Sequence, residues 1–280
     1  METGFFQLIK IYSSNLKNTL TAIRFLFRLF TSPIRTLPDF IIAGFPKCGT
    51  TSLYEYLIQH PSIFPAFSKE TYFFHRHYGK GLLWYRAYFP TVLLKFVQRL
   101  RKRKFVTGEA TPSYAADLRI HKKIYEMNPN IKLIVLLRNP TDKAFSNFNH
   151  LVRKGMADDI ADAIKADLDN KENIRKPSFR NLVSGGIYLN YLKELYNVFP
   201  KEQVLILKSE DLFSNPKVAV NKCFRFLGLE DFELPKYKNF NPGNYGSIDP
   251  KTRKFLDDFY MPHNKNLYDY LGKDFGWNKK

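Results

Sequence analysis

Apolar positions along the chain form alternating short continuous runs and helical stripes. Phe40-Ile41-Ile42-Ala43 is a continuous run bounded by Asp39 and Gly44, and it predicts a short buried strand. From Thr50 the period lengthens, with Leu53 and Leu57 one turn apart on the inward face of a predicted helix. Gly44 to Gly49 joins the two as a tight loop. Ile131–Leu137 is the strongest strand pattern in the chain, apolar nearly throughout, as a parallel strand covered on both faces requires. Arg138-Asn139-Pro140-Thr141-Asp142 then turns into a helix running from about Thr141 to Val152. Lys104–Gly108 and Val204–Leu207 read as further strands, and Ile187–Phe199, Pro216–Leu227 and most of Lys251–Leu271 as helices. Residues 155–178 are polar and basic, and only Ile160, Ala163, Ile164 and Leu168 suggest packing. No internal repeat is present. Strands alternating with helices predict an α/β fold with a central, mostly parallel sheet flanked by helices.

Residues 1–38 stand apart as a basic amphipathic segment. Leu16, Leu20, Ile23, Phe27 and Phe30 share one helical stripe, with Lys17, Arg24 and Arg28 off it. The two arginines interrupt the apolar run, against a spanning helix, and no small-residue cleavage site follows, against a removed leader. Ser32-Pro33 and Leu37-Pro38 end the segment. A helix packed on the domain, a helix lying on a membrane and an uncleaved anchor all fit this pattern. The expected location is cytoplasmic or membrane-associated.

Composition narrows the partners more than the fold. With 280 residues there is ample chain for a core, and 44% hydrophobic residues is ordinary for a globular protein. A net charge of +18 is not ordinary, and implies an anionic partner: nucleic acid, membrane, acidic polysaccharide or a multiply charged small molecule. Arg99, Arg101, Lys102, Arg103 and Lys104 form the densest basic run, either a solvated face or a polyanion contact. The two cysteines, Cys48 and Cys223, are too few for a disulfide framework. No histidine has ligand spacing with a cysteine, so no metal site is expected.

The chemistry is concentrated after the first predicted strand. Strand, glycine loop and helix make a phosphate site, because the amides at a helix start and its dipole favour an anion. The spacing of Gly44 and Gly49 fits the frame of a nucleotide triphosphatase loop, but Thr50 stands where that loop has its lysine. The lysine is Lys47, on the loop itself. A second anion site is expected at the end of the long strand. Arg138 sits at the carboxyl edge, where open α/β sheets bind ligands, and Ser146 follows eight residues later on the next helix. A triphosphatase would place a magnesium-binding aspartate at this strand end, so the arginine points to an anion held without metal. Alternatively, Arg138 pairs with Asp142 or Glu109.

Pro46-Lys47-Cys48-Gly49-Thr50-Thr51-Ser52 resembles the 5′-phosphosulfate loop of sulfotransferases, whose donor is 3′-phosphoadenosine 5′-phosphosulfate. Val135 to Ser146 resembles that family's 3′-phosphate motif, with Lys143 where the pattern has a further arginine. Lys69-Glu70-Thr71-Tyr72-Phe73-Phe74 is similar to an element of the heparan-sulfate branch, as are Gly79–Tyr85, Gly108–Tyr114, Gly186–Tyr188, Ser209–Leu212 and Phe226–Leu229. The likeness covers about residues 39–280. It implies a P-loop-like three-layer fold, with residues 39–280 as the sulfotransferase domain. It also implies a donor site made by Lys47, Cys48, Gly49, Thr50, Thr51, Ser52, Arg138 and Ser146. Glu70 is then the general base, a role that suits a carboxylate whose pKa is lifted by partial burial. Lys47 would stabilise the leaving phosphate. Two positions depart from the branch: Ala110 replaces a lysine, and Asn241–Ser247 replaces a basic lid loop. The implied acceptor is a glycan hydroxyl or amine. A small-molecule or lipid sulfotransferase, a donor-binding module without turnover and a basic nucleic-acid-binding protein are the rival readings. No nucleic-acid-reading motif is present, so nucleic acid is not an expected partner. Two other residues leave alternatives open: Glu70 could pair with Arg76, and His75 and His77 could assist the acceptor or serve the fold.

Overall fold

A computed structural model of the protein describes residues 19–170, 181–238 and 246–278. Five strands form its sheet: β1 (Phe40–Gly44), β2 (Ile63–Pro65), β3 (Val106–Glu109), β4 (Lys132–Leu137) and β5 (Val204–Lys208). Their order is β2-β3-β1-β4-β5, and every pairing is parallel. The helices that follow them flank the sheet. α1 (Thr50–Leu57) follows β1, α2 (Gly81–Arg86) and α3 (Val92–Leu100) follow β2, and α4 (Leu118–Met127) follows β3. α5 (Pro140–Val152) and α6 (Ile160–Asp169) follow β4, with α7 (Tyr188–Tyr196) leading to β5. α8 (Ser209–Ser214), α9 (Pro216–Phe226) and α10 (Pro250–Leu271) complete the chain.

The central strands are apolar because both of their faces are covered. Phe40, Ile41, Ile42 and Leu133 through Leu137 are all 0% exposed. β1 lies between β3 and β4, so the chain reverses its direction of travel across the sheet at β1. A crevice opens beyond the carboxyl ends at such a switch point. The 44–49 loop, Arg138 and Ser209 all follow strand ends on this edge. Close approach of β1 and β3 depends on Gly108, where an added Cβ would collide with the Phe40 carbonyl oxygen. Gly108→Ala is expected to destabilise the protein by about 1–3 kcal/mol or more, because backbone rather than a flexible side chain must move. Denaturant unfolding measures this; an unchanged midpoint would contradict the tight β1–β3 register.

Ile160, Ala163, Ile164 and Leu168 do pack, on α6, in a second apolar cluster with Leu182, Leu256 and Tyr260. The N-terminal stripe behaves otherwise. Residues 19–30 are helical, but Leu20, Ile23, Phe27 and Phe30 are 50%, 56%, 65% and 85% exposed. The opposite side faces the domain. Phe25 meets the rings of Phe67, Trp84 and Tyr88, with centroids 4.9–5.8 Å apart. Arg28 donates to the carbonyls of Ala87 and Phe89 at 2.7 and 2.8 Å. Among the described residues no helix is long and apolar enough to cross a membrane. The expected lid region, Asn241–Ser247, lies largely outside the described residues, as do Leu16 and Lys17.

Candidate active site

The β1–α1 loop is shaped by backbone demands that its sequence meets. Gly49 has φ +88°, and a Cβ there would lie 2.8 Å from the Phe213 ring, so only glycine fits. Lys47 is also left-handed, at φ 67°. The Phe45 amide donates to Leu136 O, and the Cys48 amide turns back to Phe45 O. Gly49 offers no side chain to cap α1, and the first helical bond runs from the Leu53 amide to Gly49 O at 3.0 Å. The amides of the first turn therefore lie ahead of the helical ladder, where an anion is favoured.

Two strand ends and the start of α7 are tied to this loop. Arg138 at the end of β4 donates from Nη1 to Lys47 O at 3.1 Å. Ser209 after β5 donates from Oγ to Cys48 O at 2.7 Å. Tyr188 donates its hydroxyl to Arg138 O at 2.8 Å and stands 3.9 Å from Cys48 Sγ. Cys48 is fully buried and has no disulfide partner. Arg138 does not take the carboxylate partners considered from the sequence. Asp142 instead pairs with Arg253 at 2.7 Å, and Glu109 is occupied elsewhere. Thr50 and Ser52 are buried at the start of α1, Thr51 is half-buried, and Ser146 is buried on α5.

Lys47 is crowded by cations. Burial first, then Arg153, Arg138 and Lys154, lower its pKa to about 8. Arg153 and Lys154 come from the end of α5, and sequence reading did not single them out. Three cations acting on Lys47, beside an uncapped helix start, suit a multiply charged anion, which makes the donor expected from the sequence a chemical fit.

Glu70 is tied to the first turn of the same helix through its neighbour Lys69. Lys69 Nζ lies 2.6 Å from Glu70 Oε1 and 3.0 Å from Thr51 Oγ1, so one ammonium links the carboxylate to α1. The Tyr72 hydroxyl donates to Glu70 Oε2. Tyr72 is held in a left-handed conformation, φ 50°, and Arg76 lies 4.8 Å over its ring. Burial, reinforced by the bond to Glu70, pushes the Tyr72 phenol up to about 12. Arg76 thus packs on Tyr72, while Lys69 and Tyr72 hold Glu70, in surroundings more polar than the sequence suggested. Phe73 and Phe74 anchor the segment at 1% and 2% exposure, and Tyr72 turns away from them.

Beneath this segment sits Glu109, which is fully buried. It accepts from Thr71 Oγ1 and Tyr85 OH, each at 2.8 Å, and from Thr111 Oγ1. Burial raises its pKa, and these hydrogen bonds oppose the rise. Glu109 therefore fixes Thr71, the neighbour of Glu70, rather than facing the crevice. Ala110 is fully buried as well, and its amide donates to Lys69 O at 2.9 Å. His75 and His77 pack against Tyr114 and Trp84, at 5.2 and 4.7 Å between ring centroids. Burial lowers the pKa of both. Among the described residues, no group of three or more His, Cys, Asp or Glu side chains could hold a metal ion.

Parallel sheet, phosphate-type loop and strand-end arginine are the features of a sulfotransferase domain, and that family matches residues 37–257. The chain belongs to the sulfotransferase family. It is 30% identical to human heparan sulfate glucosamine 3-O-sulfotransferase 6, over 87% of this chain and 74% of that protein. It is also 30% identical to mouse heparan sulfate glucosamine 3-O-sulfotransferase 3B1, over 87% of this chain and 66% of that protein. A 23% identical relative, over 86% of this chain and 66% of its own length, is the membrane-associated sulfotransferase kil1 of Dictyostelium discoideum. The chain thus spans about two thirds of the length of several relatives. Among solved structures, a sulfotransferase from Alicyclobacillus acidocaldarius aligns with a TM-score of 0.69 and 25% identity. That alignment covers 87% of this chain and all of the other.

Proposed function

We propose that this protein transfers a sulfuryl group from 3′-phosphoadenosine 5′-phosphosulfate to a hydroxyl or amine of a heparan-sulfate-like glycan. Residues 39–280 form the transferase domain, and residues 1–38 a peripheral membrane contact. The observation that carries this reading is the joining of Lys47, Arg138 and Glu70 around one uncapped helix start, with Lys69 bridging Glu70 to Thr51. Amides from Gly49 to Ser52 hold the 5′-phosphate, and Arg138 with Ser146 holds the 3′-phosphate. Glu70 takes the acceptor proton as the new bond to sulfur forms. The bond from sulfur to the 5′-phosphate oxygen breaks, its electron pair stays on that oxygen, and Lys47 meets the growing charge. The glycan class is supported by the named activities of the 30% identical relatives, and a membrane-associated location by the name of the Dictyostelium relative.

The deciding assay offers labelled donor with acidic glycans, neutral sugars, phenols and lipids. Transfer to glycans alone supports the reading; transfer only to phenols or lipids overturns the acceptor class. Donor binding without transfer to any acceptor overturns the activity. Full activity is expected in excess chelator, because Lys47 and Arg138 take the positions where a triphosphatase uses magnesium. Strict magnesium dependence with ATP hydrolysis would return the triphosphatase reading.

Lys47 also sets a pH dependence. With its pKa lowered to about 8, the ammonium is nearly complete about one pH unit below that value, half lost at it, and largely gone as pH rises further. An anion in contact favours the charged form, so binding above about pH 8 takes up a proton. Affinity for 3′,5′-adenosine bisphosphate should be level below about pH 7.5 and fall by up to about tenfold per unit above about pH 8. Lys47→Arg should flatten the curve. Calorimetric titration across this range checks it; equal slopes in both proteins would remove Lys47 from the anion site.

A further inference from the structure

Two helices that meet beside the Arg35–Thr91 bridge each present an apolar stripe to solvent, and we propose that together they dock on an anionic lipid bilayer. The first is the N-terminal helix, with Leu20, Ile23, Phe27 and Phe30 outward. The second is α3. Its residues Leu93, Phe96 and Leu100 recur at helical spacing on one side and are 66%, 56% and 67% exposed. Gln98 is buried instead, on the inner side with half-buried Leu94 and Val97, while the Leu93, Phe96 and Leu100 stripe faces water. Arg35 and Thr91 pair as an antiparallel bridge. Ile34 and Val92, next to that bridge and opposed in its register, are 54% and 44% exposed and connect the two stripes. A run of large exposed side chains on adjoining elements exceeds the scattered apolar surface of ordinary proteins.

Charge selects the occupant. Arg24 accompanies the first stripe; Lys95 and Arg99 accompany the second, and Arg101, Lys102 and Arg103 follow it, all exposed. Apolar side chains fit the acyl boundary while lysine and arginine meet anionic headgroups. A soluble polyanion would engage the cations and leave the stripes idle. A second copy of this chain would set like charge against like. The inference rests on the membrane reading of residues 1–38 for its first helix and adds α3 as the second contact.

The test is cosedimentation of the full chain with vesicles of phosphatidylcholine, alone or mixed with phosphatidylserine. Two variants separate the helices: Ile23→Ser with Phe27→Ser, and Leu93→Ser with Phe96→Ser. Wild type should sediment with the phosphatidylserine vesicles, and each variant should partition at least about tenfold less. Melting temperature should be unchanged, since these side chains are already exposed. If only the N-terminal variant loses binding, the two-helix surface is wrong while the N-terminal reading survives. If both variants bind as wild type, charge alone holds the vesicle and both readings fail. Absence of vesicle binding also overturns both. A wild-type dimer that the α3 variant dissociates would assign the stripe to a second copy.

Discussion

Glu70→Gln is expected to slow sulfuryl transfer by about 10²–10⁴-fold, the usual effect of losing a positioned base. Affinity for 3′,5′-adenosine bisphosphate should hardly change, because the amide can keep a contact to Tyr72 and the nucleotide is held by other residues. Lys47→Ala should behave differently, lowering both affinity and rate, since the ammonium meets donor and leaving group alike. The comparison is informative because Lys69 touches both Glu70 and Thr51. If Glu70 served only to hold Lys69 against α1, its loss would loosen the phosphate loop and weaken nucleotide binding. Turnover, bisphosphate affinity and melting temperature together separate the two roles. A Glu70→Gln protein that melts normally and keeps more than about a tenth of the wild-type rate excludes Glu70 as the base, since that residue of activity lies above the expected range.

What could be read from the sequence was local. Phe40–Ala43, Gly44, Gly49 and the Leu53–Leu57 pair give strand, loop and helix because each signal lies within one element. Arg138 was placed by the same logic, at the end of a run too apolar to be anything but a central strand. Contacts made by folding were not legible. Lys47 and Arg138 lie 91 positions apart, and Arg153 and Lys154, just past the end of α5, act on Lys47 from still farther along the chain. Lys69 had the one available signal, adjacency to Glu70, but its bridge to Thr51 spans two elements. Tyr72 adjoins Phe73 and Phe74, which enter the core, but its left-handed backbone turns it onto Glu70, and nothing in the sequence pattern marks that turn. β2 has only three residues, too few for periodicity to register. The N-terminal stripe shows a further limit. Periodicity says which residues share a face, not which face meets the protein. There the aromatic cluster around Phe25 and the carbonyls that receive Arg28 decide the docking side.

Arg138→Ala should weaken donor binding by roughly 2–5 kcal/mol, the range for removing one partner of a desolvated charge pair. That corresponds to about 30- to 5,000-fold in Kd. The guanidinium is half-buried, braces the Lys47 carbonyl, and lies 5.7 Å over the Phe213 ring that also confines Gly49. Two effects must therefore be told apart: loss of a 3′-phosphate contact and slackening of the loop. Ligand-induced thermal shifts do so. In wild type, 3′,5′-adenosine bisphosphate should stabilise far more than 5′-AMP, because only the bisphosphate carries the 3′-phosphate assigned to Arg138 and Ser146. In Arg138→Ala the bisphosphate shift should collapse towards the AMP shift, with the AMP shift little changed. Arg138→Lys should recover part of the difference, since it restores charge but not the two-pronged donor. If the alanine variant weakens both ligands equally, Arg138 acts by bracing the loop and the 3′-phosphate site lies elsewhere. Equal shifts from the two ligands in wild type would remove the 3′-phosphate site altogether, and with it the donor assignment.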